Sequence, residues 1–266
     1  MGIEQLGHVD VKSGTMCVLD FGMASAFSGS PEGAAVARRA AQAGGYAFTH
    51  ADVPAIVVPN LPPGRYPVSS VRIDEGPFAG LRQAVMVDFV PNPQAARTIE
   101  LGRVLVDHAR IGLFDVDALQ HWNEERPVDG LADVAFWGLH EKEVAARFRA
   151  PSLGDDGSGW QNLPVAQAEA IARDLEGLKS SGQFRFAWDF RPHTHPFYLL
   201  AQLRKNPNEA GVLDVGGSLA CGFMTSWGDG EFPVLIDLDA QNRPIRCGIF
   251  FATNEAMQNM RAVNSQ

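Results

Sequence analysis

The chain has no apolar run near the ~18 residues needed to cross a bilayer as a helix, so no membrane span is expected. It has only three cysteines, Cys17, Cys221 and Cys247, an odd set without CxxC spacing. That argues against a disulfide framework and against a cysteine zinc site. Each lies in an apolar stretch and reads as a small buried hydrophobe. Basic residues are outnumbered, 22 Lys and Arg against 31 Asp and Glu, for a formal net charge of −9. No basic block or aromatic-plus-basic stripe offsets this, so the phosphate term opposes binding to nucleic acid or to an anionic membrane. There is no Walker A loop, no GxGxxG after a strand and no HExxH, so no nucleotide or dinucleotide cofactor is expected. "GGSLA" (Gly216–Ala220) approaches a nucleophile elbow, but "CGFMTSW" after it looks like strand rather than helix. The opening "MGIEQLGHVD" lacks the basic and apolar regions of a secretory signal, and the cytoplasm is the expected location.

What is present is ordinary for a folded protein: 266 residues, 45% hydrophobic and 20% charged. "SGTMCVLDFG" (Ser13–Gly22) reads as a strand. In "SPEGAAVARRAAQAGG" (Ser30–Gly45), Ser30 suits an N-cap, Pro31 the first helical position, and Gly44-Gly45 the stop. Strand-like runs follow at Ala55–Val58, Tyr66–Ile73, Gln83–Val90 and Thr98–Val106, separated by "PNLPPGR", "DEGPFAG" and "PNPQ". Connections this short exclude helical crossovers and imply antiparallel pairing.

From Asp115 onward helices are expected in "DVDALQHWNEE", "LADVAFWGLHEKEVAARFR" and "PVAQAEAIARDLEGLKSS". In the last, Val165, Ala168, Ile171, Ala172, Leu175 and Leu178 form one apolar stripe. "APSLGDDGSGWQN" reads as a surface loop and Gln183–Phe190 as a strand. A short helix follows from Pro196, then two or three strands from Val212 and a last polar helix in "NEAMQNMRAVN". The expected fold is α+β and β-rich, with two mostly antiparallel β regions around a central helical segment. The working division is 1–115 and 116–266.

Two stretches could carry chemistry. In "FRPHTHPF", His193 and His195 are one residue apart, and on a strand both would face one side. With a carboxylate such as Asp189 or Asp229 they would make a zinc or iron site. The alternative is that Thr194 and His195 begin a helix before Pro196. In "SWGDGEFPV", the glycines around Asp229 permit positive φ and close approach of a ligand, with Trp227 as a stacking wall. The alternative there is a tight turn whose aspartate bonds its own backbone. Asp115 and Asp117 flank Val116 as helix-capping candidates. Trp122, Trp137 and Trp160 lie near expected loops and could anchor a partner.

Four segments, "SGTMCVLD", "LPPGRYPV", "VDHARIGLFD" and "SWGDGEFPVLIDLD", occur in that order. In this the chain resembles the bacterial family catalogued as domain of unknown function 4241. It departs from that family's pattern at Ala109-Arg110-Ile111, where Gly-Thr-Gly is favoured, at Ser226, where Gly is usual, and at Phe232, where Tyr is usual. The resemblance implies a coherent fold and a cytoplasmic origin but no reaction, and it marks Asp115, Trp227, Gly228, Asp229 and Gly230 as the residues of any common site. The expected function is that of a non-enzymatic binding or interaction protein of the immunity or regulatory kind. Its acidity suits a basic protein partner. The competing expectation is a metal-dependent hydrolase using His193, His195 and Asp229.

Overall fold

Met16-Cys17-Val18-Leu19 is apolar at every position because its strand is covered on both faces. Met16 and Val18 point into one core and Cys17 and Leu19 into another. The computed structural model describes residues 2–252, and the helix expected over Asn254–Asn264 lies outside them. The described chain is α+β and β-rich, and every strand pair is antiparallel.

The chain forms two units, Met1–Trp122 with Leu199–Gln266, and Asn123–Tyr198. In the first, β1 (Ile3–Val11), β5 (Gly64–Arg72), β6 (Arg82–Asp88), β15 (Pro244–Phe250), β14 (Gly230–Leu238) and β7 (Arg97–Val106) form one sheet in that order. A second sheet runs β12 (Ala210–Val215), β13 (Ser218–Met224), β8 (Arg110–Asp115), β2 (Met16–Leu19), β4 (Val53–Val58) and β3 (Ala47–His50). The two sheets share a core of alternate residues, among them Val9, Val68, Val85, Val104, Val234 and Ile249 from the first sheet and Ile56, Ile111, Leu113 and Phe223 from the second. The other face of the second sheet buries Val57, Phe114 and Ala220. They pack against Ala34 and Ala37 of α1 (Glu32–Gln42) and Leu199 and Leu203 of α4 (His195–Lys205).

In the second unit β9 (Leu131–Trp137) is the middle strand, between β10 (Ser158–Pro164) and β11 (Ala187–Pro192). Its alternate residues Ala132, Val134 and Phe136 meet Val144 of α2 (Glu141–Phe148) and Ala168, Leu175 and Leu178 of α3 (Val165–Ser180). The stripe on "PVAQAEAIARDLEGLKSS" is therefore the buried face of a helix, as its spacing predicts.

The division at 115/116 falls inside the first unit, because residues after Tyr198 return to pair with early strands, β14 with β7 and β15 with β6. The central segment is not purely helical. "LADVAFW" is a strand whose helical-looking apolar spacing is that of a strand covered on both faces. "DVDALQHWNEE" keeps only a 3-10 turn, Ala118–His121, and the expected loop at Ala150–Asn162 contains most of β10. Strand β1 was not expected, because "IEQLGHVDV" alternates weakly and is broken at Gly7 by a shift of register.

Candidate functional site

Polar side chains fix the turns at the end of β7 and before β14, and these turns shape a cavity in the first unit. Asp20 is fully buried; its carboxylate accepts from the backbone N–H of Asp107 and His108, both at 2.8 Å, and lies 3.1 Å from His108 Nδ1. Asp229 Oδ1 accepts from Ala109 N–H at 2.8 Å, and Ala109 O accepts from Thr225 N–H at 2.9 Å. Thr225 Oγ1 donates to Gly228 O at 2.7 Å and accepts from Trp227 N–H at 3.2 Å. Gly228 has φ of 75°, a left-handed conformation that glycine adopts without steric cost.

The Trp227–Gly230 stretch is thus a built corner, not a free ligand loop. Trp227 Nε1 donates to Arg82 O at 2.7 Å and its ring lies 5.4 Å from that of Phe78. Asp115 is similarly structural: only 2% exposed, it accepts from Lys12 N–H (2.6 Å), Ser13 N–H (2.7 Å) and Asp117 N–H (2.9 Å). It ties the β1–β2 turn to the end of β8 and borders a small cavity of about 250 Å³.

Beside the corner is a cavity of about 710 Å³. Ser226 lines it, as do Arg72, His108, Arg110 and Arg204, with Glu209 the one carboxylate in its wall. Arg72 is answered by Glu4 at 3.0 Å and Gly80 O at 2.7 Å. Among the described residues Arg110 and Arg204 have no carboxylate partner; the Arg110 guanidinium stands 5.1 Å over the Phe21 ring. Arg110 Nε and Ser226 Oγ are buried without an acceptor or donor, a cost of about 1–3 kcal/mol per group. Ala109, Glu209 and Ser226 hold φ of 56°, 48° and 66°. Left-handed non-glycine backbone stores strain of a kind that clusters at ligand sites.

The residue that sequence reading missed is Arg82, 0% exposed. Its Nε donates to Met224 O at 2.8 Å and its Nη2 to Asn208 O, so it supports two parts of the cavity wall from behind. Burial, with the like charge of Arg72, pushes its guanidinium down to about 10. A lone arginine before an apolar strand gives no sign of this, since its acceptors come from residues far along the chain.

The histidine pair sits in the second unit and Asp229 in the first, each with partners in its own unit. His193 is 2% exposed, with Nδ1 3.0 Å from Asp129 and Nε2 3.0 Å from Asp133. Its ring stacks on Phe197 at 4.4 Å and 13°. Burial opposes its charge, but hydrogen bonds to Asp129 and Asp133 outweigh that and raise it above the ordinary histidine value. Burial likewise acts to raise Asp129, and the Tyr198 hydroxyl and His193 overcome it, holding that carboxyl at about 2. This is an internal ion cluster.

His195 opens α4, and its Nδ1 accepts from Asn123 N–H at 2.8 Å. Thr194 Oγ1 accepts from Phe197 N–H at 3.4 Å, so the helix-start reading of "PHTHPF" describes the geometry. Among the described residues no group of three or more His, Cys, Asp or Glu side chains is placed to hold a metal ion. His193 and His195 both bond to partners within the second unit, and Asp229 to a partner within the first.

Of the tryptophans expected as anchors, Trp122 is 1% exposed against Phe114 and Trp160 packs into the second unit's core. Trp137 alone is exposed, at 41%. The three cysteines are buried and free, and burial pushes the thiols of Cys221 and Cys247 up to about 12. No described helix is long and apolar enough to cross a membrane. No family model, curated protein or solved structure matches the chain.

Proposed function

We propose that this chain is a non-catalytic binding protein, and that it binds an oxyanion in the arginine-lined cavity beside the Trp227–Gly230 corner. The carrying observation is that Arg110 and Arg204 face a cavity of about 710 Å³ without a carboxylate partner, in a chain whose net charge is −9. In such a chain a local cationic pocket stands out electrostatically, and focusing by low-dielectric walls favours an anion there. The guanidinium fork matches carboxylate and phosphate geometry.

The immunity- or regulatory-type role expected from the sequence then acts through whatever presents that anion. Kinship with the resembled bacterial family belongs to the same reading. It is supported by the meeting of "VDHARIGLFD" and "SWGDGEFP" at the cavity through Asp229 and Ala109.

Calorimetric titration with inorganic phosphate, sulfate and acetate tests the reading. Binding is expected with at least one, accompanied by thermal stabilisation, and weakened in Arg110→Gln and in Arg204→Gln. No heat and no stabilisation with any of the three and with longer-chain oxyanions would overturn it.

A further inference from the structure

The cavity is not uniformly polar. Helix α4 contributes Leu200, Leu203 and Arg204, spaced i, i+3 and i+4, so two leucines and one arginine occupy one helix face. Leu81 from the loop before β6 and Met224 at the end of β13 add further apolar wall. Arg110 pairs with Met224 across the β8–β13 register, and both line the cavity.

The volume also exceeds what a small inorganic anion needs. At roughly 30 Å³ per water, about 710 Å³ accommodates on the order of 20 waters. It lies within the ~300–1,000 Å³ typical of organic-ligand pockets. A hydrated phosphate or acetate alone would leave the leucine and methionine surface against water.

We infer that the ligand is an organic oxyanion with an apolar chain or ring: the headgroup is held by Arg110 and Arg204, and the apolar part lies along Leu81, Leu200, Leu203 and Met224. This rests on the oxyanion reading above and narrows it. The buried polar atoms of Arg110 and Ser226 fit the same arrangement. They are the polar end of a pocket whose remaining wall is hydrocarbon.

The test is a titration series on the full chain: acetate, butyrate, hexanoate and octanoate, then octyl phosphate, inorganic phosphate and 1-octanol. Each methylene buried in the cavity is expected to tighten binding about fourfold, from the ~0.8 kcal/mol per CH₂ of apolar burial. Octanoate and octyl phosphate decide between a carboxylate and a phosphate headgroup. Leu200→Asn should flatten the chain-length dependence, weakening octanoate more than acetate. Arg204→Gln, at an exposed position, should weaken octanoate and octyl phosphate but not 1-octanol, and it keeps the headgroup test valid if Arg110→Gln does not fold. Acetate binding as tightly as octanoate would overturn the inference and leave the oxyanion reading standing. Octanol binding as tightly as octanoate would overturn the headgroup assignment, and no binding by any anion would remove both.

Discussion

His193 offers the sharpest check on the physical chemistry of the second unit. Its two ring nitrogens each lie 3.0 Å from a carboxylate, which requires an imidazolium if both bonds are to be donated. Hydrogen bonds to charged groups contribute about 1.5–3 kcal/mol each, and removing one partner of a buried ion pair costs about 3–5 kcal/mol. Because glutamine keeps one donor group but no charge, His193→Gln is expected to lose about 3 kcal/mol.

The pH dependence has a definite sign. His193 is raised above its ordinary 6.5, so its stabilisation is full below 6.5 and is lost as pH rises through the higher folded value. Asp129 is lowered from 3.8 to about 2, so its contribution is full above 3.8 and disappears as pH falls towards 2. Between 3.8 and 6.5 both are present. Amide exchange in β9, corrected for intrinsic rates, reads this unit directly. Protection in the wild type should fall between about pH 5 and about pH 8.5, and His193→Gln should be weaker at the acid end and flatter across the range. Equal slopes in the two proteins, or wild-type protection that rises over the range, would refute the clamp.

Ala109→Gly and Ser226→Gly should each stabilise the first unit by about 1 kcal/mol in denaturant melts. Both residues hold positive φ, at 56° and 66°, where a Cβ costs roughly 1–2 kcal/mol; a loss of stability would show that their side chains contribute more than the strain. Arg82→Met should destabilise by about 3 kcal/mol, since Met224 O and Asn208 O both lose a charged donor; an unchanged melting temperature would contradict its role as support. Asp229→Ala removes the acceptor for Ala109 N–H and should cost about 1 kcal/mol. It should also weaken anion binding by moving Arg110, and unaltered affinity would separate the corner from the cavity.

Much of the first unit was legible because its strands are bounded by Gly, Pro and Asn turns and its connections are too short for crossovers. α3 was legible because a period near 3.6 over 16 residues has no competing strand reading. β9 was not. "LADVAFW" buries five consecutive residues, Ala132 to Phe136 with Asp133 among them, and so short and mostly apolar a run does not distinguish a doubly covered strand from a buried helix. β1 was hidden by weak alternation around Gly7.

Composition and local pattern set the chemistry available: an acidic chain, three cysteines in apolar runs, an aspartate in a glycine turn and a histidine pair before a proline. They also determined the antiparallel character of the strands, since local turn signals and alternation act between neighbouring residues. What those groups do depends on how remote strands pair. Asp229 became a cap for a turn 120 residues away, and His193 was drawn between two aspartates 60 and 64 positions earlier. Arg72, Arg110 and Arg204, unremarkable singly, came to share one cavity wall. Hydrogen bonding and Coulomb attraction act over a few ångströms of space, and that distance is set by strand pairing between remote segments.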